Sequence, residues 1–234
     1  MRSEAKIGLA VAMLMAAVGM ASASNIQGTK HDLSQATGGG AYKATNTDQI
    51  CVFCHTPHNA IQNIPLWNRS NPTAGNFTLY SSSSMNNKPV KTGFTADSIS
   101  LFCMSCHDGV TGLGSKVHND PNGIPITMNT DLISGDANLL SGSGSLQNDH
   151  PVNFAVTAAG ITADGNLGTI QATNPPTMKT GAVTKGFPLF KSGRESGETS
   201  LECGSCHAVH DNTDAPFLRT TMKGSLLCLG CHVK

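Results

Sequence analysis

Four places in this 234-residue chain put two thiols and an imidazole within five positions: Cys51/Cys54/His55, Cys103/Cys106/His107, Cys203/Cys206/His207 and Cys228/Cys231/His232. The pattern is C-x-x-C-H each time, and it uses all eight cysteines. Three chemistries compete for such pairs. An exported chain uses cysteines for disulfides, two C-x-x-C pairs can hold zinc, and C-x-x-C-H attaches haem of the c type through two thioethers, with the histidine as axial ligand to iron. The histidines decide between them. With 9 His in 234 residues, four chance histidines at that position have odds of roughly two in a million, and the signature is the haem one. No cysteine is left over for a separate scaffold. The expectation is four covalent haems, with zinc as the alternative.

Five further histidines remain: His31, His58, His118, His150 and His210. Four irons with two axial positions need four ligands beyond the motif histidines, so every iron can take two imidazoles. His58 and His210 each follow a motif histidine by three residues and share its face if the segment is helical. Neighbours so placed cannot grip one iron from both sides of a flat ring, so each should reach a different haem. His150 precedes Pro151, which restricts it to extended backbone suited to presenting an imidazole. His31 is a fourth candidate, and His118, in a turn-rich KVHNDPNG stretch, is the one left out. Trp67, Phe53, Phe102 and Phe217 are expected to wall the haem pockets. Asp120 and Asp149 sit in Asn/Asp-rich loops, but no EF-hand spacing accompanies them.

The elements that must position these groups are weakly marked. Hydrophobic residues make up 38% of the chain and aromatics 5%, while the formal net charge is nil. Disorder normally goes with high net charge, so the composition reads instead as a chain that borrows its core from bound groups, tethered haems acting as staples. Residues 68–93, 118–150 and 173–198 are rich in turn chemistry. A short helix is expected over Thr95–His107, capped by Thr95, and a short strand over Ile124–Met128. Uneven motif spacing (52, 100 and 25 residues between first cysteines) marks a recurring attachment site rather than a structural repeat. The expected fold class is a multihaem c-type cytochrome, loop-rich, with short helices and few short strands organised around haem.

At the N-terminus, Arg2 and Lys6 precede an apolar run ending near Met20, and Ala21-Ser22-Ala23 fits signal-peptide cleavage. Residues 1–23 are therefore read as an export signal, 24–50 as a flexible leader and 51–234 as the tetrahaem domain. Cleavage removes Arg2, Glu4 and Lys6 and leaves 13 basic and 14 acidic residues. Haem propionates add roughly −4 to −8 in total, so nucleic acid is not an expected partner.

The succession HDLS, ICVFCHTPHNA, PLWNR, SLFCMSCHDG, NDHPVNF, LECGSCHAVHD and a terminal CLGCH, from His31 to His232, resembles the OmcE-type tetrahaem outer-surface c-type cytochromes of metal-reducing bacteria. That resemblance implies a non-enzymatic electron-transfer protein with four bis-histidine haems, polymerised into an extracellular filament. It also implies that a histidine of one protomer ligates a haem of the next. His31, on its leader, is the expected donor across that boundary; the roughly 20 residues before Cys51 reach up to about 65 Å, which lets it serve its own chain or a neighbour. Other redox cytochromes and extracellular electron acceptors are the implied partners. A monomeric periplasmic electron shuttle is the alternative. A multihaem reductase of a small oxyanion or metal complex would need one five-coordinate iron, and a structural fibre would conduct poorly.

Overall fold

A computed structural model describes residues 26–58, 60, 66–85, 93–141, 145–192 and 198–234. The proposed signal segment lies outside the described residues. Regular structure is sparse, as a chain so rich in turn residues dictates. The helices are α1 (Ser100–His107), α2 (Ala158–Asp164), α3 (Cys203–Cys206) and α4 (Leu226–Leu229). The strands are β1 (Phe154–Val156), β2 (Thr169–Gln171), β3 (Thr177–Lys179), β4 (Phe187–Pro188) and β5 (Thr199–Leu201). Antiparallel β1 and β5 pair Phe154 with Leu201 and Val156 with Thr199. A second antiparallel sheet has the order β2-β3-β4, with Ile170 opposite Met178 and Met178 opposite Phe187. Among the described residues no helix is long and apolar enough to cross a membrane.

Apolar burial is divided among three small clusters, and each contains an attachment motif or its immediate approach. Ala44, Val52, Phe53, Val117 and Ile126 pack around the first motif, with Cys54 at the edge. Leu101 and Met104 of α1 join Phe77, Leu79, Phe94 and Leu146 around the second. Val156, Met178, Leu189 and Leu201 lead into the third, and Cys231 of the fourth packs against them. A fully buried Leu or Phe stabilises by about 1.5–3 kcal/mol, so four to six such residues hold one turn in place but make no large common core.

Three expectations about local structure need correction. The leader is tied down: Ala44 is buried, its N–H donates to the Leu33 carbonyl, and the Thr45 N–H donates to Thr127. Those bonds, with the Ala44–Met128 bridge, also replace the expected strand over Ile124–Met128 by a single ladder contact. The helix begins at Ser100 rather than at Thr95. Thr95 cannot cap it, because its hydroxyl donates to the Ser192 carbonyl and its N–H to Asn153 Oδ1.

Candidate haem-attachment sites

Every C-x-x-C-H is one helical turn. The histidine N–H donates to the carbonyl of the first cysteine at 2.7 Å for His55, 3.0 Å for His207 and 2.9 Å for His232, and the second motif forms the end of α1. Residues four apart on such a turn share a face, so the first thiol and the imidazole point the same way. Leaving the turn, His55, His207 and His232 enter single antiparallel bridges with Trp67, Leu218 and Leu167. A short helix followed by an extended residue thus fixes three of the four rings.

The eight cysteines are free thiols rather than disulfides. Burial pushes the Cys54 and Cys231 thiols up to about 12 and Cys206 to about 11. Cys103 is raised by its hydrogen bond with Cys203 and by burial. No three His, Cys, Asp or Glu side chains converge as a metal cage among the described residues, whereas zinc takes four protein donors. A porphyrin brings four equatorial nitrogens and asks the protein for two.

Pairs of imidazoles are what the fold provides. His31 faces His107 at 6.1 Å between ring centres, His210 faces His55 at 5.9 Å, and His150 faces His232 at 6.4 Å. Two metal–nitrogen bonds of about 2 Å, with about 1.1 Å from each nitrogen to its ring centre, place imidazole centres about 6.2 Å apart across one metal. The observed spacing lies within the roughly 4.5–7 Å of edge-to-face ring packing and also fits an atom between the rings. Ring orientation agrees. His107 Nδ1 lies 2.7 Å from the Ala137 carbonyl, His150 Nδ1 2.9 Å from Pro151 and His207 Nδ1 3.2 Å from Pro216. A ligating histidine commonly donates its second N–H to a carbonyl in this way, which leaves Nε2 for metal. Burial, then the neighbouring His107 and His207, pull the His31 imidazole down to about 4. His210 is lowered by burial and then by His55. Both are held neutral, the form that binds metal.

Clamps between the motifs account for these meetings. His31 stacks on Phe217 at 4.4 Å. Its neighbour Asp32 is fully buried and accepts four hydrogen bonds: from Ser34 N–H (3.0 Å) and Oγ (2.6 Å) on Oδ1, and from Gly28 N–H (2.8 Å) and Thr37 Oγ1 (2.7 Å) on Oδ2. Asn68 and Arg69 join the first two motifs. Asn68 donates to the carbonyls of Cys54 (2.9 Å, backbone) and Val52 (2.7 Å, side chain), and Arg69 Nη2 to Ser105 (3.0 Å) inside the second motif. Ser100 joins the second to the third: its hydroxyl donates to Glu202 (2.5 Å) and accepts from the Cys203 N–H (3.0 Å). Sequence reasoning did not single out Asp32, Asn68, Arg69 or Glu202. The one available signal was an acidic residue beside a histidine or a motif, at HD and EC; nothing in PLWNR marks Asn68 or Arg69.

The other expected residues fall differently. Trp67 stands edge-on to His55 at 5.9 Å and 4.9 Å from Phe102, and its buried Nε1 has no acceptor among the described residues, as suits a wall against a further group. Phe53 belongs to the first apolar cluster instead. Asp120 accepts the Ile126 N–H at 3.3 Å, an ordinary loop bond. His31, expected to serve a neighbouring protomer, faces His107 of its own chain, because the Asp32 clamp folds the leader back. His58 is exposed with no imidazole at this spacing among the described residues, and so is His118. They are close by: Asn119 Nδ2 donates to the His58 carbonyl at 3.1 Å. Among the described residues His207 also faces no imidazole at this spacing.

Comparison with known proteins agrees with the motif chemistry. Residues 197–234, containing the last two motifs, match the doubled CXXCH motif model. No curated protein matches the chain. The doubled motif is that of multihaem c-type cytochromes and indicates covalently bound c-type haem, with electron transfer as its chemistry.

Proposed function

We propose that this protein is a tetrahaem electron conduit in which all four irons carry two imidazoles, and that it works outside the cell as a polymer. The observation that carries the reading is the set of three imidazole pairs at 5.9–6.4 Å, each containing one motif histidine. The ligand pairs are His55 with His210, His107 with His31, and His232 with His150. The motif cysteines hold the four haem groups, each of which supplies a one-electron ferric/ferrous couple. The protein's own part is to fix the rings, to exclude water, and to keep successive motifs adjacent through Asn68, Arg69 and Glu202.

His207 then needs a sixth-position partner, while His58 and His118 are exposed and unused. The assignment is that one of these two serves His207 of a neighbouring copy, which makes assembly part of ligation. Export through the 1–23 signal and a filamentous cell-surface form follow from this reading and from the motif order. The same observation favours a second reading, a chain whose third motif keeps an open iron for a small substrate. Secreted, haem-loaded protein separates the two. Filaments in electron micrographs with a wholly low-spin spectrum, and one high-spin haem in four on replacing His58 or His118 by Ala, support the conduit. A parent protein with a high-spin haem whatever its state of assembly supports the open site.

A further inference from the structure

The single tryptophan of the chain lies against the first attachment turn. His55 and Trp67 are partners in an antiparallel bridge. It is flanked by a bond from the Thr56 N–H to the Leu66 carbonyl at 3.0 Å and one from the Asn68 N–H to the Cys54 carbonyl at 2.9 Å. Residues directly opposite in such a pair send their side chains to the same face, so the indole travels beside the motif imidazole. The two ring centres are 5.9 Å apart at an interplanar angle of 83°, and Phe102 packs on the indole at 4.9 Å.

Trp67 is 8% exposed, and its buried Nε1 has no acceptor among the described residues. An indole nitrogen can only donate, and a buried donor left unpaired costs the full desolvation of the group. It has company on its face. Successive residues of an extended segment alternate between faces, which sends Asn68 the other way, to the Val52 and Asn119 carbonyls, and puts Arg69 on the side of Trp67. The Arg69 Nη groups are taken by the carbonyls of Leu113, Gly112 and Ser105. Its Nε is a second buried donor without a partner among the described residues. Asn71 Oδ1, a buried acceptor of the same segment, has no partner there either, so it takes neither proton.

An acceptor is therefore missing beside His55. We propose that Trp67 is a propionate-binding residue: its indole N–H donates to a haem carboxylate beside His55. Of the polar groups on a c-type haem, the ring nitrogens are spent on iron, and only the propionates are left to accept. An ionised carboxylate offers about four lone-pair sites, and a hydrogen bond to it is shorter and stronger than one to a neutral oxygen. The guanidinium on the same face favours an anion over water at that place. Trp67 thus adds an anchor of a different kind to the thioethers and the imidazole, and its ring keeps water from the bond. No electron, proton or covalent bond moves in this step. The assignment rests on the four-haem reading above and names the side chain that holds one carboxylate.

The test is a magnetic-resonance distance measurement on the secreted, haem-loaded protein, reduced so that its low-spin irons are diamagnetic. Because the chain has 1 Trp, nitrogen-15 placed in the indole ring marks Trp67 alone. Carboxyl-labelled aminolevulinate fed during growth places carbon-13 in the haem carboxyl groups. A labelled carboxyl carbon within about 4 Å of the indole nitrogen is expected. None within that reach overturns the proposal, since the indole then bonds water only. Infrared spectra of the same carboxyl label provide a second readout that needs no distance. Trp67→Phe keeps a ring against Phe102 but removes the N–H, so one carboxylate band should move while the others stay. An unchanged set of bands in a variant that loads haem also overturns the proposal. Where the variant fails to load haem, the distance in the parent decides. A 51–55 peptide that carries no haem by mass overturns the four-haem reading instead, so the two failures are distinct.

Discussion

Asp32→Asn tests whether the turn that delivers His31 is held as described. The carboxylate accepts two donors on each oxygen. An amide keeps one oxygen and turns an NH2 group toward two donors, so two hydrogen bonds to a charged group are lost, each worth about 1.5–3 kcal/mol. Because the two share one loop, the lower end is the better guide, about 3 kcal/mol in all. In a chain of this size that corresponds to roughly 6–12 °C in Tm. The spectrum gives a second readout, since a slack 28–38 turn withdraws His31 from His107 and converts part of one low-spin haem to high spin. The pH dependence gives a third. Burial alone would raise the Asp32 carboxyl, but the Ser34 hydroxyl, the Gly28 N–H and the Thr37 hydroxyl outweigh it and hold the group below its usual value. A depressed carboxylate contributes its stability above the unfolded value of about 3.9 and loses it as pH falls through the folded one. Parent and variant should therefore differ most near neutrality and converge below about pH 4. A variant with the parent's Tm and spectrum at pH 7, or a difference that grows on acidification, would refute the reasoning.

Gly230→Ala tests the packing of the fourth motif. Its φ of −62° suits any residue, but an added Cβ would lie 2.0 Å from the ring of buried Phe187. Overpacking of this kind costs about 1–3 kcal/mol, and a urea titration should recover most of it when Phe187→Leu is added. Asn68→Ala removes the side-chain bonds to the Val52 and Asn119 carbonyls and to the Asn119 N–H. At about 1–3 kcal/mol for each buried group left unpaired, the denaturant midpoint should drop clearly, with haem loading at the first motif reduced by mass.

The attachment sites were legible because their chemistry is local. C-x-x-C-H is one turn of helix, and nothing distant is needed to close it. The second ligands were not legible in the same way, since pairing is decided by contacts that skip along the chain. His31 passes over the first motif to meet His107 because Asp32 closes the 28–38 turn and Ala44 is drawn into the Val52–Phe53 cluster. His210 reaches His55 across more than 150 positions, and only the negative half of that pairing, that it would not serve its own neighbour, was available beforehand. The Thr95–His107 helix was right in kind and wrong at its start, because Thr95 is taken by Ser192 and Asn153. Nothing in PLWNR or LECGSC sets Arg69 or Glu202 apart from a surface charge. Their burial comes from carbonyls and hydroxyls contributed by segments far away in sequence.

The division of apolar burial into three clusters implies that wear should be local. Each cluster grips its own turn, and the links between them are a few polar side chains. Hydrogen exchange should therefore reveal separately opening zones rather than one all-or-none event. A protein built this way can lose its hold at one end while the middle stays shut. If the chain works outside the cell as proposed, away from repair, that is a form of damage tolerance written into its packing.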